Sequence, residues 1–435
     1  MTVVTSEVRR RVVLHIGAMK TGTTYLQGKA YGNRESLEAA GVSMPGVRWA
    51  DVVWGVQDLL GMGKGDADLQ HRNEGRWQAV VDLVHAAPTP TSLLTMEFFA
   101  FANRRQARRA VESFAGCDVE VVVTVRDTAA VVPALWQTTV TSGGTVTWPR
   151  FRRAFRWAAS GRGAGAAVLS RVRVPTALRF QEAVNIARIL RTWSAVLPTE
   201  RIHVVVVPGP DAPRDRLWEL FCEVLQVDPA AAPEPGKNAN ESLGYPSAEL
   251  VRRVNELIEI ERIRHHTVVK DDLGHHTLGR RRSVERRARL DPPTLAAALR
   301  WNAAIRDVVA GSGVRVHGDL ADLPLTPLPS HGVEERHEPP TDAELLEAAT
   351  FALRRMRRLV DRRSRRLFQP ERAKNFKRRL RRASVGPANW GSTPDPVATA
   401  VSDLVLYADG LIRLRKVRDK RRQRRAARRA AASSN

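Results

Sequence analysis

The amino-acid sequence predicts an α/β protein, a parallel sheet flanked by helices, with a helical basic C-terminal extension. Three observations lead there. Continuous β-branched runs alternate with helix-like segments, the pattern of a sheet covered on both faces. No fixed-period repeat occurs, which sets solenoids and propellers aside. The charge is lopsided: of a formal net +24, residues 351–435 carry 26 Lys/Arg against 6 Asp/Glu, a net of +20. A nearly neutral body and a basic appendage therefore separate by composition.

The elements follow in order. Arg11–Ile16 reads as a buried strand closing on Gly17. Thr23 to Ala40 reads as helix, broken near Gly32 and Asn33 and stopped at Gly41. Ser92–Phe99 is a short apolar strand. Val119–Val125 is the strongest strand pattern in the chain, and Ile202–Val207 is nearly as strong. After Pro213, Leu217, Trp218, Phe221, Val224 and Leu225 recur at helical spacing and are expected to cover the sheet. A Pro-rich connector is expected over 324–340. Thr341–Phe368 is expected to be a helix, with Thr341 as N-cap, Glu344 in capping-box position and a stripe of Leu346, Ala349, Leu353, Met356 and Val360. A Gly/Pro/Ser linker, 384–396, precedes a second amphipathic helix with Val401, Leu404, Val405, Ala408, Leu411 and Ile412 on one side. Eleven Lys/Arg crowd Arg413–Arg429. The expected division is a catalytic domain over 1–325 and an extension over 326–435.

Composition excludes several classes. With 43% hydrophobic residues the chain is not wholly disordered. Two cysteines, Cys117 and Cys222, make no disulfide framework and fit a reducing compartment. The basic Arg9–Arg11 is followed by an apolar stretch that His15 and Gly17 break at once, too short for a signal peptide. No run approaches the ~20 apolar residues of a membrane span. The expected location is cytoplasmic, with peripheral membrane contact as an option. The basic tail has no interleaved aromatics for base stacking, which disfavours nucleic acid. An apolar stripe followed by cations does match what an anionic membrane surface attracts, although the same stripe suits packing on the body.

The most informative segment is His15–Gln27. A buried strand runs into a loop that opens a helix, and helix-start N–H groups attract phosphate. Lys20 adds a full charge. Thr21, Thr23 and Thr24 add hydroxyls, and Gly22 allows close approach of an anion. Lys20 precedes Gly22, so the Walker A order is not met.

This loop, Lys20–Thr24 directly after a strand, resembles the 5′-phosphosulfate loop of sulfotransferases that use 3′-phosphoadenylyl sulfate (PAPS). Val123–Asp127 resembles the family's 3′-phosphate segment, with Arg126 as the implied contact. Val132–Gln137, Val204–Trp218, Asn240–Gly244 and Leu250–Asn255 resemble segments of actinobacterial members. The resemblance spans most of residues 11–320. It implies a P-loop-type fold and sulfuryl transfer from PAPS to a hydroxyl or amine of a small-molecule, lipid or glycan acceptor. The Ser that cytosolic members carry eight residues after this Arg is replaced by Ala134, and Ser142 or Thr138 stands as a substitute. Gly279–Ser283 is either the late basic loop over the 3′-phosphate or a solvated basic turn.

In that chemistry charge builds on the bridging oxygen, and Lys20 is the residue expected to meet it. No metal is required by this arrangement. The acceptor must lose a proton, for which Glu97 at the end of an apolar strand is the first candidate base and His15 the rival. His203 reads as structural, and the pairs His265–His266 and His275–His276 rarely converge on a metal. The alternatives are a kinase-like P-loop enzyme, in which Asp127 would hold Mg2+, and a non-catalytic protein that binds polyanions or membranes.

Overall fold

The computed structural model describes residues 9–46, 48–63, 67–160, 184–236, 242–258, 265–329 and 338–433. The strands β1 (Arg11–His15), β2 (Val42–Ser43), β3 (Thr91–Thr95), β4 (Asp118–Val125), β5 (Ile202–Val206) and β6 (Arg315–His317) form one sheet in the order β2-β3-β1-β4-β5-β6. Every pairing is parallel. The α/β class and the parallel sheet are as expected. β1 is interior: His15 lies level with Thr95 on one side and Val122 on the other.

The helices are α1 (Thr23–Gly32), α2 (Arg34–Ala39), α3 (Trp49–Leu59), α4 (Ala67–Asn73), α5 (Arg76–His85), α6 (Arg104–Glu112), α7 (Thr128–Thr141) and α8 (Trp148–Ala159). They continue with α9 (Ile186–Trp193), α10 (Arg216–Leu225), α11 (Tyr245–Leu257), α12 (Pro292–Ala310), α13 (Asp342–Leu367), α14 (Pro370–Ala383) and α15 (Pro396–Ser433). The expected break near Asn33 is the α1–α2 junction, and Gly41 stops the run at φ +90°.

Two compact units divide the chain. The first comprises Met1–Leu135, Arg152–Ala239 and Leu290–Val333 and holds the whole sheet. Because side chains alternate along a strand, each strand feeds two cores. Val13, Leu93, Val122 and Val205 pack with Leu26 of α1 and Phe221 of α10 on one face. Val12, Leu94, Val121 and Val204 pack with Trp77, Ala107, Ile189 and Ile305 on the other. The chain thus leaves β1 towards the first face, through α1. It leaves β3 towards the second, through Met96 and Phe99. Where neighbouring strands send their chains to opposite faces, a crevice opens beyond their carboxyl ends.

The second unit comprises Trp136–Phe151, Asn240–Arg289 and Glu334–Asn435. The C-terminal helices therefore do not stand apart at a 325/326 boundary but share a unit with two earlier segments. Thr341 caps α13 and Glu344 closes the capping box, as expected. Leu353, Met356 and Val360 of α13 and Val401, Leu404, Ala408 and Leu411 of α15 are buried. The stripe on α15 is thus a packing face, which leaves only its cations for a membrane surface. Within the 384–396 linker, Val385 and Gly386 donate backbone N–H groups to the Asp403 carboxylate at 3.0 and 2.8 Å, and the Trp390 indole donates at 2.8 Å. The expected 324–340 connector lies partly outside the described residues. Among the described residues, no helix is long and apolar enough to cross a membrane.

Candidate functional site

The loop between β1 and α1 is shaped by three left-handed residues, Gly17 (φ +62°), Lys20 (φ +66°) and Gly22 (φ +87°). Lys20 pays the strain that a Cβ imposes there, of order 1–3 kcal/mol, a cost that recurs at ligand-binding sites. Gly22 is the N-cap of α1, and no side chain caps that helix. The first turn has no acidic residue of its own to complement its N–H groups and dipole. The need for glycine at 22 has a second cause: a Cβ there would meet Leu217 of α10 at 2.6 Å.

The three threonines separate. The Thr21 hydroxyl donates its one proton to the Ala18 carbonyl at 2.6 Å and takes one from the Thr124 hydroxyl at 2.5 Å. Its side chain thus holds the loop onto β4, and only its backbone is left for a ligand. Thr23 is buried against Gly17, whereas Thr24 is exposed.

Glu97 does not end a strand, as the Ser92–Phe99 pattern implied. β3 stops at Thr95, and Glu97 opens a 3-10 turn, Glu97–Phe101. A Cβ on Gly17 would lie 3.3 Å from the Glu97 Cβ, so the bare glycine seats the carboxylate residue against the loop. From α1, the buried Gln27 donates through Nε2 to Glu97 Oε2 at 3.1 Å and to the Thr95 carbonyl at 3.4 Å.

His15, the rival base, is 1% exposed. Its Nδ1 lies 2.8 Å from the Thr95 hydroxyl, and its ring meets Phe221 edge-on. Burial pushes its pKa down to about 3, so it stands neutral within the β1–β3 pair.

Arg126, half-buried, directly follows β4, and its guanidinium donates to the Lys20 carbonyl at 3.5 Å. Burial lowers its pKa, partly offset by the Asp127 charge. Asp127 Oδ1 accepts from the Ala129 N–H at 3.0 Å and from Asn302 Nδ2 at 2.8 Å. Asn302 in turn accepts the Thr128 N–H at 2.9 Å and donates to the Pro324 carbonyl at 3.0 Å. Asp127 is therefore a helix cap that sets the strand end carrying Arg126. Asn302, in a helical run without a motif, gave no signal in the sequence.

Other candidates stand elsewhere. Ser142 is exposed just past the end of α7 and belongs to the second unit. Gly279–Ser283 is also in that unit, where Arg281 pairs with Glu285 at 2.6 Å and Glu347 at 2.9 Å. His203 is buried in β5, and its Nδ1 lies 3.0 Å from His317 Nε2. Burial favours the neutral acid at neighbouring Glu120, yet His203 and Arg11 hold its pKa down at about 2. His265 bonds Asn255 at 2.9 Å, and no cluster of metal-ligating side chains occurs among the described residues.

Fold and site together define a class: a parallel α/β protein whose strand–loop–helix turn, uncapped by any side chain, lies beside a carboxylate residue and an arginine. Comparisons with family models, with characterised proteins and with solved structures return no match.

Proposed function

We propose that the chain is a sulfotransferase that moves a sulfuryl group from PAPS to a hydroxyl or amine acceptor. The observation that carries this reading is the seating of Glu97 against Gly17. It joins a carboxylate to the same loop that offers Lys20 and an uncapped helix start. Arg126, tied to the Lys20 carbonyl, adds a second fixed cation.

On this reading the amides of Thr23 and Thr24 receive the 5′-phosphate, and Arg126 receives the 3′-phosphate. The acceptor oxygen attacks sulfur and its proton passes to Glu97. The bond between sulfur and the bridging oxygen breaks, its electron pair stays on that oxygen, and 3′-phosphoadenosine 5′-phosphate leaves. Lys20 meets the charge that develops there, the step at which a fixed cation contributes most. Lys20 precedes Gly22, and Asp127 is taken up as a cap, so the alternative kinase-like reading draws less support.

Calorimetry with 3′-phosphoadenosine 5′-phosphate in EDTA tests the reading, followed by an acceptor panel with PAPS. Tight, metal-independent binding is expected. Clear preference for ATP with Mg2+ would overturn it.

A further inference from the structure

Gln27 is a long polar side chain in the middle of α1, only 7% exposed. Both atoms it meets are acceptors: Glu97 Oε2 at 3.1 Å and the Thr95 carbonyl at 3.4 Å. Only the NH2 end of an amide satisfies two acceptors at once, so the orientation follows from chemistry. The contact joins two segments 70 residues apart in sequence. Gln27 also stands on the helix whose N-terminus follows Lys20 and Gly22.

The strand end beneath Glu97 is held as firmly. The Met96 N–H donates to the His15 carbonyl at 3.0 Å, and the Thr95 hydroxyl lies 2.8 Å from His15 Nδ1. The backbone up to Met96 is thereby tied to β1. What this leaves undetermined is the Glu97 side chain, and Gln27 supplies its fixing contact.

We infer that Gln27 is a positioning residue, an amide clamp that holds the Glu97 carboxylate in register with the anion loop. One carboxylate oxygen is taken by Gln27, which directs the other to the acceptor proton. The anion site and the base then move as one body, because both hang on α1. This inference rests on the sulfotransferase reading and adds a residue to it.

Gln27→Met keeps length and helix propensity and removes both donors. Gln27→Glu keeps reach and replaces donors by acceptors. Each is compared with wild type, Glu97→Gln and the Gln27→Met/Glu97→Gln double variant. The probes are 3′-phosphoadenosine 5′-phosphate affinity, sulfate release from PAPS with water as acceptor, and the thermal midpoint. Expected are nucleotide affinities within about 2-fold of wild type and a rate loss on the order of 10- to 100-fold for each Gln27 variant, the scale of a misplaced catalytic group. The double variant is expected to be no slower than Glu97→Gln alone, since a residue acting through Glu97 has nothing left to position.

Multiplying losses in the double variant, or full rate in either folded Gln27 variant, would overturn the clamp. If Gln27→Met does not fold, the rate of Gln27→Glu decides alone. A wild-type chain that neither binds the nucleotide nor releases sulfate sinks the underlying reading instead. That outcome is distinct from a slow Glu97→Gln beside a fast Gln27→Met.

Discussion

Arg126 and Glu97 are expected to fail in different ways. On the proposed function Arg126→Ala removes a charge-assisted contact to the 3′-phosphate, and calorimetry should then show a loss on the order of 1.5–3 kcal/mol in nucleotide affinity. Glu97→Gln should leave that affinity intact and slow turnover by ~10² or more. His15 makes a prediction about pH. Its folded pKa of about 3 lies below the ordinary 6.5, so the unfolded chain binds the extra proton first. Its contribution is fully present above pH 6.5 and is lost as pH falls towards 3, with a slope of about 1.4 kcal/mol per pH unit. Denaturant titrations across that window should show a slope smaller by about this amount in His15→Gln than in wild type, the shifted Glu120 contributing to both. An unchanged slope in the variant would mean that another group carries the acid sensitivity.

At the scale of elements, α15 is two things in one helix. Its first half carries Leu404 and Leu411, both 0% exposed, and its far end, 420–428, is exposed and basic. Leu404→Ala or Leu411→Ala should cost about 2–5 kcal/mol, the range for emptying a packed leucine site. Deleting 420–435 should leave thermal stability within error, because none of the described residues there is buried. The same truncation tests the tail as a membrane contact. With its stripe packed, α15 offers anionic vesicles charge without insertion. Sedimentation at low salt should then be reversed by physiological salt and abolished by the truncation. Salt-resistant binding would show that apolar area reaches the bilayer after all.

At the scale of the whole molecule, the chain visits its two units alternately, so neither is a single stretch. A protein cut at residue 325 keeps Trp136–Phe151 and Asn240–Arg289 but loses α13 and α15, which complete that unit. It is expected to bind a hydrophobic dye and to lose cooperative unfolding, as measured by fluorescence and calorimetry. A sharp single transition in the 1–325 fragment would count against this. Nucleotide at 100 times its Kd should stabilise the intact chain by about 2.7 kcal/mol with EDTA present.

Several features were legible in sequence because their causes are local. β-branched runs dictate strands, a glycine-bearing loop after a strand dictates the start of α1, and Thr341 with Glu344 dictates a helix start. The two- and three-residue strands β2 and β6 are too short to show a period, and α14 reads as an arginine run rather than a helix face. Only tertiary structure decided what each distant group meets. It set Glu97 beside Gly17, gave Asp127 to Asn302 175 residues away, and committed the Thr21 hydroxyl to the fold. It also buried the α15 stripe. The physical reason is that periodicity and side-chain chemistry state what a segment can bury or bond. An apolar stripe or a carboxylate satisfies the same rule with any suitable partner, and the partner is chosen by chain topology.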